Sequence, residues 1–282
     1  MSDLKLATNR PCNSPPLTVT FDSNTLDAVV FPRSAQRENG PFGAIVRDAI
    51  QDGRIRGFFS ETIITLEGIE REDRAAVLGE TQVVVEATSV EIKPGPSVSF
   101  TFSVGSQHIR QPLTVKALAR VQGALELDIR PLRTAARWVG YHANTYPLFE
   151  PPGGMPELLR CLDKVNEMTT AITTRGLGQA KALELGLHFS KRDDVSTPEL
   201  WLQGLGRARN KSERNKVYKA TREWADGDSI AAHHGFGMQL FCSEDVGRSG
   251  HSILDGDNRK WLSEEFGIEF VTLAQLAQRV TE

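Results

Sequence analysis

Four carboxylates stand where the ordered elements of this chain begin or end. Asp22 directly follows the short β-branched run Leu17 to Phe21, and Asp245 follows the apolar run Met238 to Cys242. Asp228 opens the Ala-rich stretch that leads into the second of these runs. Glu67 comes four residues after Ile63, on the inward stripe of a helix expected over Glu61 to Glu70. A carboxylate on such a stripe is costly unless it is paired or bound to a metal. Carboxylates brought together repel one another, so they hold protons or share a cation. All four would converge if the strands before them lie side by side in one sheet. Asp226 competes for the third position, and Asp228 is preferred because it sits at the expected helix start. Each acid also has a plainer role: Asp22 in a polar turn, Glu67 on a solvated helix face, Asp228 as an N-cap, Asp245 in an ordinary loop.

The elements that would position these acids come from short strands separated by helices. Leu17 to Phe21, Gly57 to Ser60, Met238 to Cys242 and Ile268 to Val271 read as strands. Helices are expected over Phe42 to Gln51, Lys211 to Trp224, Asp228 to Gly235 and Leu273 to Val280, with another starting at Thr197 and Pro198. This rhythm predicts an α/β fold with a mainly parallel sheet, whose functional residues gather at the carboxyl ends of the strands. The middle differs. Gln82 to Ile92 and Val98 to Val104 flank Lys93 to Pro96 as a hairpin with a loop longer than two residues. Leu113 to Gly123 reads as a helix, Leu125 to Ile129 as a strand, and Pro156 to Thr174 and Leu177 to Leu187 as helices.

Composition sets wide bounds. The chain has 282 residues, 39% hydrophobic and 24% charged, enough for a core without staples. Its net charge of -3 makes no case for a nucleic-acid partner, although a local patch remains open. No apolar run approaches the ~20 residues of a bilayer span, so no membrane partner is expected. Met1 to Cys12 lacks the pattern of a secretory signal, and residues 1–16 read as a flexible lead. Three widely separated cysteines, Cys12, Cys161 and Cys242, read as reduced thiols of a cytoplasmic protein.

At the acids the sequence resembles a family. Val19 to Asp22 with Asn24 looks like the opening strand of PIN-domain ribonucleases. Phe59 to Glu67 is similar to that family's second acidic motif. Trp224 to Ala232, holding Asp226 and Asp228, resembles the third, and Leu240 to Asp245 the fourth. Gly267 to Leu273 is similar to the closing strand and helix. The resemblance covers 17–78 and 197–282. It implies a PIN-like three-layer α/β/α domain interrupted by residues 79–196, a mixed α+β insertion of unknown role. About 118 intervening residues are the large departure from the family pattern.

The resemblance implies an endoribonuclease that hydrolyses RNA phosphodiester bonds with water activated by Mg²⁺ or Mn²⁺, hard cations suited to oxygen ligands. Asp22 and Asp245 would be inner ligands and Asp228 would complete the site. Glu67 would bind a second ion or orient the water. Asn24 and Ser243 would orient the carboxylates by hydrogen bonds, and Asp226 stands in reserve. The alternatives are a non-catalytic PIN-like interaction protein that uses the insertion to bind a partner, and a toxin-type ribonuclease held by an antitoxin. A homo-oligomer is open.

Other signals are weaker. Arg207, Arg209, Lys211 and Arg214 could form an RNA-binding track toward Asp228, or a solvated helix face. Arg130, Arg133 and Arg137 with Trp138 and Tyr141 form a second basic and aromatic cluster, for which core packing of Trp138 is the plainer account. His233 and His234 are adjacent, which is the wrong spacing for a joint zinc site on one helix. Gly206 to Ser212 lacks the glycine before lysine that a P-loop needs.

Overall fold

The computed structural model describes residues 15–33, 39–92, 95–106, 114–134, 146–193, 201–246 and 252–282. In chain order the elements are β1 (Leu17–Phe21), α1 (Ser23–Val30), α2 (Gly40–Gln51), β2 (Ile55–Ser60), α3 (Thr62–Thr65), α4 (Arg74–Gly79), β3 (Thr81–Ile92) and β4 (Gly95–Ser106). They continue as α5 (Val115–Glu126), β5 (Arg130–Leu132), α6 (Gly154–Thr174), α7 (Gln179–Arg192), α8 (Trp201–Leu205) and α9 (Lys211–Gly235). The chain closes with β6 (Leu240–Cys242), α10 (Gly256–Phe266), β7 (Glu269–Val271) and α11 (Leu273–Thr281).

Five strands form one sheet in the order β5-β2-β1-β6-β7, and every pairing is parallel. Alternate residues of each strand enter different cores. Val19, Phe21, Ile55, Phe59, Leu240 and Cys242 pack with α1, α2, α5 and α11. Phe241 points the other way, into a cluster with α6, α9 and α10, and Phe58 meets Leu132, Phe149 and Ala232 of α9. Strands buried on both faces read as apolar runs, as parallel strands do. The sheet is flanked by helices, an arrangement compatible with three layers.

Residues 79–196, expected as an insertion, contribute to these same layers. β5 is the edge strand beside β2. Val121 and Ala124 of α5 enter the core with α1 and α2, and α6 packs on α9. The strand expected at Leu125 to Ile129 is displaced: Leu125 and Glu126 end α5, Asp128 turns the chain at φ 58°, and the sheet is joined from Arg130. The β3–β4 hairpin forms its own two-stranded sheet. Its pairing runs to Ile92 opposite Gly95, so two residues connect the strands instead of the longer loop expected.

Two further corrections bear on the acids. The expected helix over Glu61 to Glu70 stops after Thr65, and Glu67 lies in the turn that follows. The two helices expected on either side of Asp228 are one helix, α9, 25 residues long. Gly227 does not break it. A Cβ there would lie 3.0 Å from the Gly178 Cα, so the glycine lets the α6–α7 turn approach. The start expected at Thr197 and Pro198 lies outside the described residues.

Candidate active site

Asp22 is placed by the end of β1 and the start of α1. It is the N-cap of α1, where its Oδ1 accepts from the Ser23 amide at 2.6 Å. Its Oδ2 accepts from Asn24 Nδ2 at 3.0 Å and from Ser243 Oγ at 2.7 Å. Ser243 follows β6, which pairs directly with β1, so adjacent parallel strands deliver both residues to one end of the sheet. Ser243 Oγ also accepts from the Asp245 amide at 3.1 Å, and Asn24 Oδ1 accepts from the Glu244 amide at 3.4 Å. Burial raises the Asp22 carboxyl above its ordinary range, its hydrogen bonds to Ser243 and Ser23 oppose this, and neighbouring Asp245 adds to the rise.

Glu67 and Asp226 face the same carboxyl. Burial pushes the Glu67 carboxyl up and the charge of Asp22 adds to the rise, while Arg120, Arg74 and Arg222 offset it. The Glu67 turn is fixed by Arg74, which donates to the Glu67 carbonyl at 2.9 Å and to Thr221 Oγ1 at 3.1 Å. Burial holds the Asp226 carboxyl well above the usual carboxylate range, with Asp22 and then Glu67 as the acids that raise it further. Arg222, one turn before Asp226 on α9, is a cation that touches most of this group, with Arg120, Arg74 and Arg259 at its margins. It lies 3.6 Å from the Asp245 carboxylate and feels Asp226, Glu67 and Asp245 together. Asp22, Glu67, Asp226 and Asp245 therefore form one electrostatic group around Arg222.

Asp228 is not in that group. Two residues along a helix is about 200° around its axis, so Asp226 and Asp228 occupy opposite faces. Asp228 is 3% exposed, near Glu61 rather than Asp22, and one of its oxygens, Oδ2, is buried with no hydrogen-bond partner among the described residues. Burial, then the charge of Glu61, pushes its carboxyl up to about 8, against a hydrogen bond from Trp224. The preference for Asp228 over Asp226 is thus corrected. It rested on a helix start that the continuous α9 does not have.

The donor set around Asp22 is all oxygen, the ligand type that a hard divalent cation prefers, with Arg222, Arg120, Arg74 and Arg259 balancing part of its charge. The side chains are not drawn into a closed ligand set: among the described residues, no group of three or more His, Cys, Asp or Glu is spaced to hold a metal.

The remaining candidates lie elsewhere. Arg207 reaches Asp193 at 3.1 Å and Arg209 pairs with the same carboxylate, whereas Lys211 and Arg214 are exposed on α9. Arg130 pairs with Asp128 at 2.6 Å; Arg137, Trp138 and Tyr141 lie outside the described residues. His233 is buried, with Nδ1 3.0 Å from Thr20 Oγ1 and its ring edge-on to Phe241, while His234 meets Phe266. Burial raises the Cys242 thiol. No helix among the described residues is long and apolar enough to cross a membrane. Comparison with protein-family models, with curated proteins and with solved structures gives no match.

Proposed function

We propose that the chain is a PIN-like metal-dependent nuclease, an endoribonuclease that hydrolyses phosphodiester bonds at the carboxyl ends of β1 and β6. The observation that supports this most is the meeting of Asp22, Glu67, Asp226 and Asp245 there, with Asp22 held by Asn24 and Ser243. Asp22, Asp226 and Asp245 would hold Mg²⁺ or Mn²⁺, with Glu67 beside them. When bound, such a cation lowers the pKa of a coordinated water and polarises a phosphoryl oxygen. The protein's own groups prepare for that. Asn24 and Ser243 fix the Asp22 carboxylate, Arg74 fixes the turn that carries Glu67, and Arg222 balances part of the negative charge. Fixing carboxylates by neighbouring hydrogen bonds keeps the site organised before substrate arrives.

The position of Arg222 among the acids, together with the open ligand set, favours a second reading: a PIN-like protein that binds a partner without catalysis. One experiment separates the two. A mixed RNA pool is incubated with Mn²⁺, Mg²⁺ or chelator and wild type, Asp226→Asn, Asp245→Asn or Asp228→Asn. The nuclease reading expects metal-dependent cleavage that falls at least about 100-fold in the first two variants and persists in Asp228→Asn. Absence of both cleavage and Mn²⁺ binding by wild type would transfer the case to the non-catalytic reading.

A further inference from the structure

The basic residues around α9 are of two kinds. Arg207 and Arg209 already meet the Asp193 carboxylate, and Arg192 beside them pairs with Glu213 at 2.8 Å. Arg71, Lys211, Arg214, Lys216 and Lys219 are exposed, and among the described residues none of the five forms an ion pair.

Arg71 is nevertheless oriented. Its guanidinium lies 4.7 Å from the centre of the Tyr218 ring and donates to Asn215 Oδ1 at 2.7 Å. Arg74 stacks on the same ring, also at 4.7 Å, but its nitrogens are occupied by Thr221 and by the carbonyls of Ile69 and Glu67. Arg71 keeps donors facing solvent. By helical period, Lys211, Asn215, Tyr218, Lys219, Arg222 and Asp226 share one face of α9 within about 100°. At ~1.5 Å per residue, Lys211 and Asp226 are roughly 22 Å apart along the axis. Of the cations without acid partners, Lys211 and Lys219 lie on this face beside Arg71, Arg214 and Lys216 flank it on either side, and the face ends at the acid cluster.

We propose that this face of α9, with Arg71, is a track for a single strand of nucleic acid, gripping its phosphodiester backbone and delivering it to Asp226. The direction of delivery rests on the nuclease reading above; the grip does not. Tyr218 is engaged by two guanidiniums, so the track reads charge and not bases, and binding is independent of sequence. RNA and DNA share the backbone that it recognises.

The test is fluorescence anisotropy of the full chain with short labelled RNA and DNA strands of one sequence, in chelator, across a salt series. The parent protein binds with a salt-dependent affinity. Changing Arg71→Gln, Lys211→Gln and Lys219→Gln together weakens binding about tenfold or more at low salt and reduces the slope of log affinity against log salt by about 2, at roughly 0.7 per cation. Arg207→Gln with Arg209→Gln leaves affinity and slope unchanged. Equal affinity for the two strands supports a grip on the backbone alone, and tighter RNA binding that still depends on the three cations supports the same track with an added 2′-hydroxyl contact. Unchanged binding by the triple variant, an equal loss in the Arg207 and Arg209 variant, or no binding by the parent overturns the track. Metal-dependent cleavage, scored separately, keeps the nuclease reading alive in those cases. Track-dependent binding without cleavage would retain the track and overturn the nuclease.

Discussion

Asp228 is buried against Glu61, and its carboxyl, pushed up to about 8, stays protonated near neutral pH. The sign of its effect on stability follows. In the unfolded chain the group ionises near 3.8, so the folded state binds more protons between that value and about 8. Its contribution is fully present below the lower value and lost as pH rises through the upper one. Asp228→Asn should therefore gain stability over wild type as pH rises, by on the order of 2–4 kcal/mol at pH 8, and show little gain at pH 4. Urea unfolding at both pH values measures this, and a gain independent of pH would contradict it. Arg222 is the other residue whose surroundings make a prediction. It stands among Asp226, Glu67 and Asp245 where a metal's charge would be placed, and it is half-exposed. Arg222→Gln should tighten Mn²⁺ binding about three- to tenfold, with solvent screening limiting the gain. The readout is the free-ion signal in electron paramagnetic resonance. Weaker binding in the variant would show that Arg222 organises the acids and does not compete for their charge.

At the scale of elements, close helix crossings hold α9 and its neighbours in place. A Cβ on Gly186 of α7 would fall 1.9 Å from the Trp201 carbonyl oxygen, and one on Gly204 of α8 would fall 2.1 Å from the Gly186 carbonyl oxygen. Neither contact involves a flexible side-chain end, so the helices themselves must separate. Gly186→Val should cost about 2–4 kcal/mol in thermal or urea unfolding while leaving Mn²⁺ affinity near wild type, since α7 and α8 hold none of the four acids. A variant of full stability would mean that α7 and α8 have room to slide. α9 has a different logic: one face of its N-terminal half packs Val217, Ala220 and Trp224 with α7 and α8, and the other carries Lys211, Lys219 and Arg222. The two halves of this helix read as separate because its middle mixes Asp226, Gly227 and Asp228, residues of low helix propensity. Packing of Gly227 against Gly178 overrides that preference.

For the whole molecule, the acid group sets a pH dependence that a cation should change. Asp22, Glu67, Asp226 and Asp228 all have carboxyls raised mainly by burial, so each withdraws stability as pH rises above its unfolded value. His233 acts on the opposite side: burial lowers it to about 3, so its contribution is lost as pH falls through and below 6.5. In chelator, the melting temperature should peak at mildly acidic pH and decline toward pH 8. Mn²⁺ should raise it more at pH 8 than at pH 5, because fewer protons compete with the cation for the carboxylates as pH rises. An equal rise at both pH values, or a rise that survives Asp22→Asn, would place the ion elsewhere.

Much of this architecture was legible in the chain. Short β-branched runs separated by amphipathic stretches gave the parallel sheet, because strands buried on both faces must be apolar and need helical crossovers. Asp22, Asn24 and Ser243 were legible at strand ends, where parallel sheets expose their functional edge. Tertiary structure decided the rest. Glu67 lies in a turn because the Arg74 side chain supplies hydrogen bonds to Ile69 and Glu67 carbonyls that a continuing helix would have used differently. Arg207 and Arg209 are neutralised by Asp193, which is distant in sequence and adjacent in space. Asp226 meets Asp22 and Asp228 meets Glu61 because the two lie on opposite faces of one unbroken helix, and only the packing of that helix decides which face is which. Spacing fixes the angle between two side chains on a helix; the helix's orientation against its neighbours comes from long-range contacts that no local pattern contains.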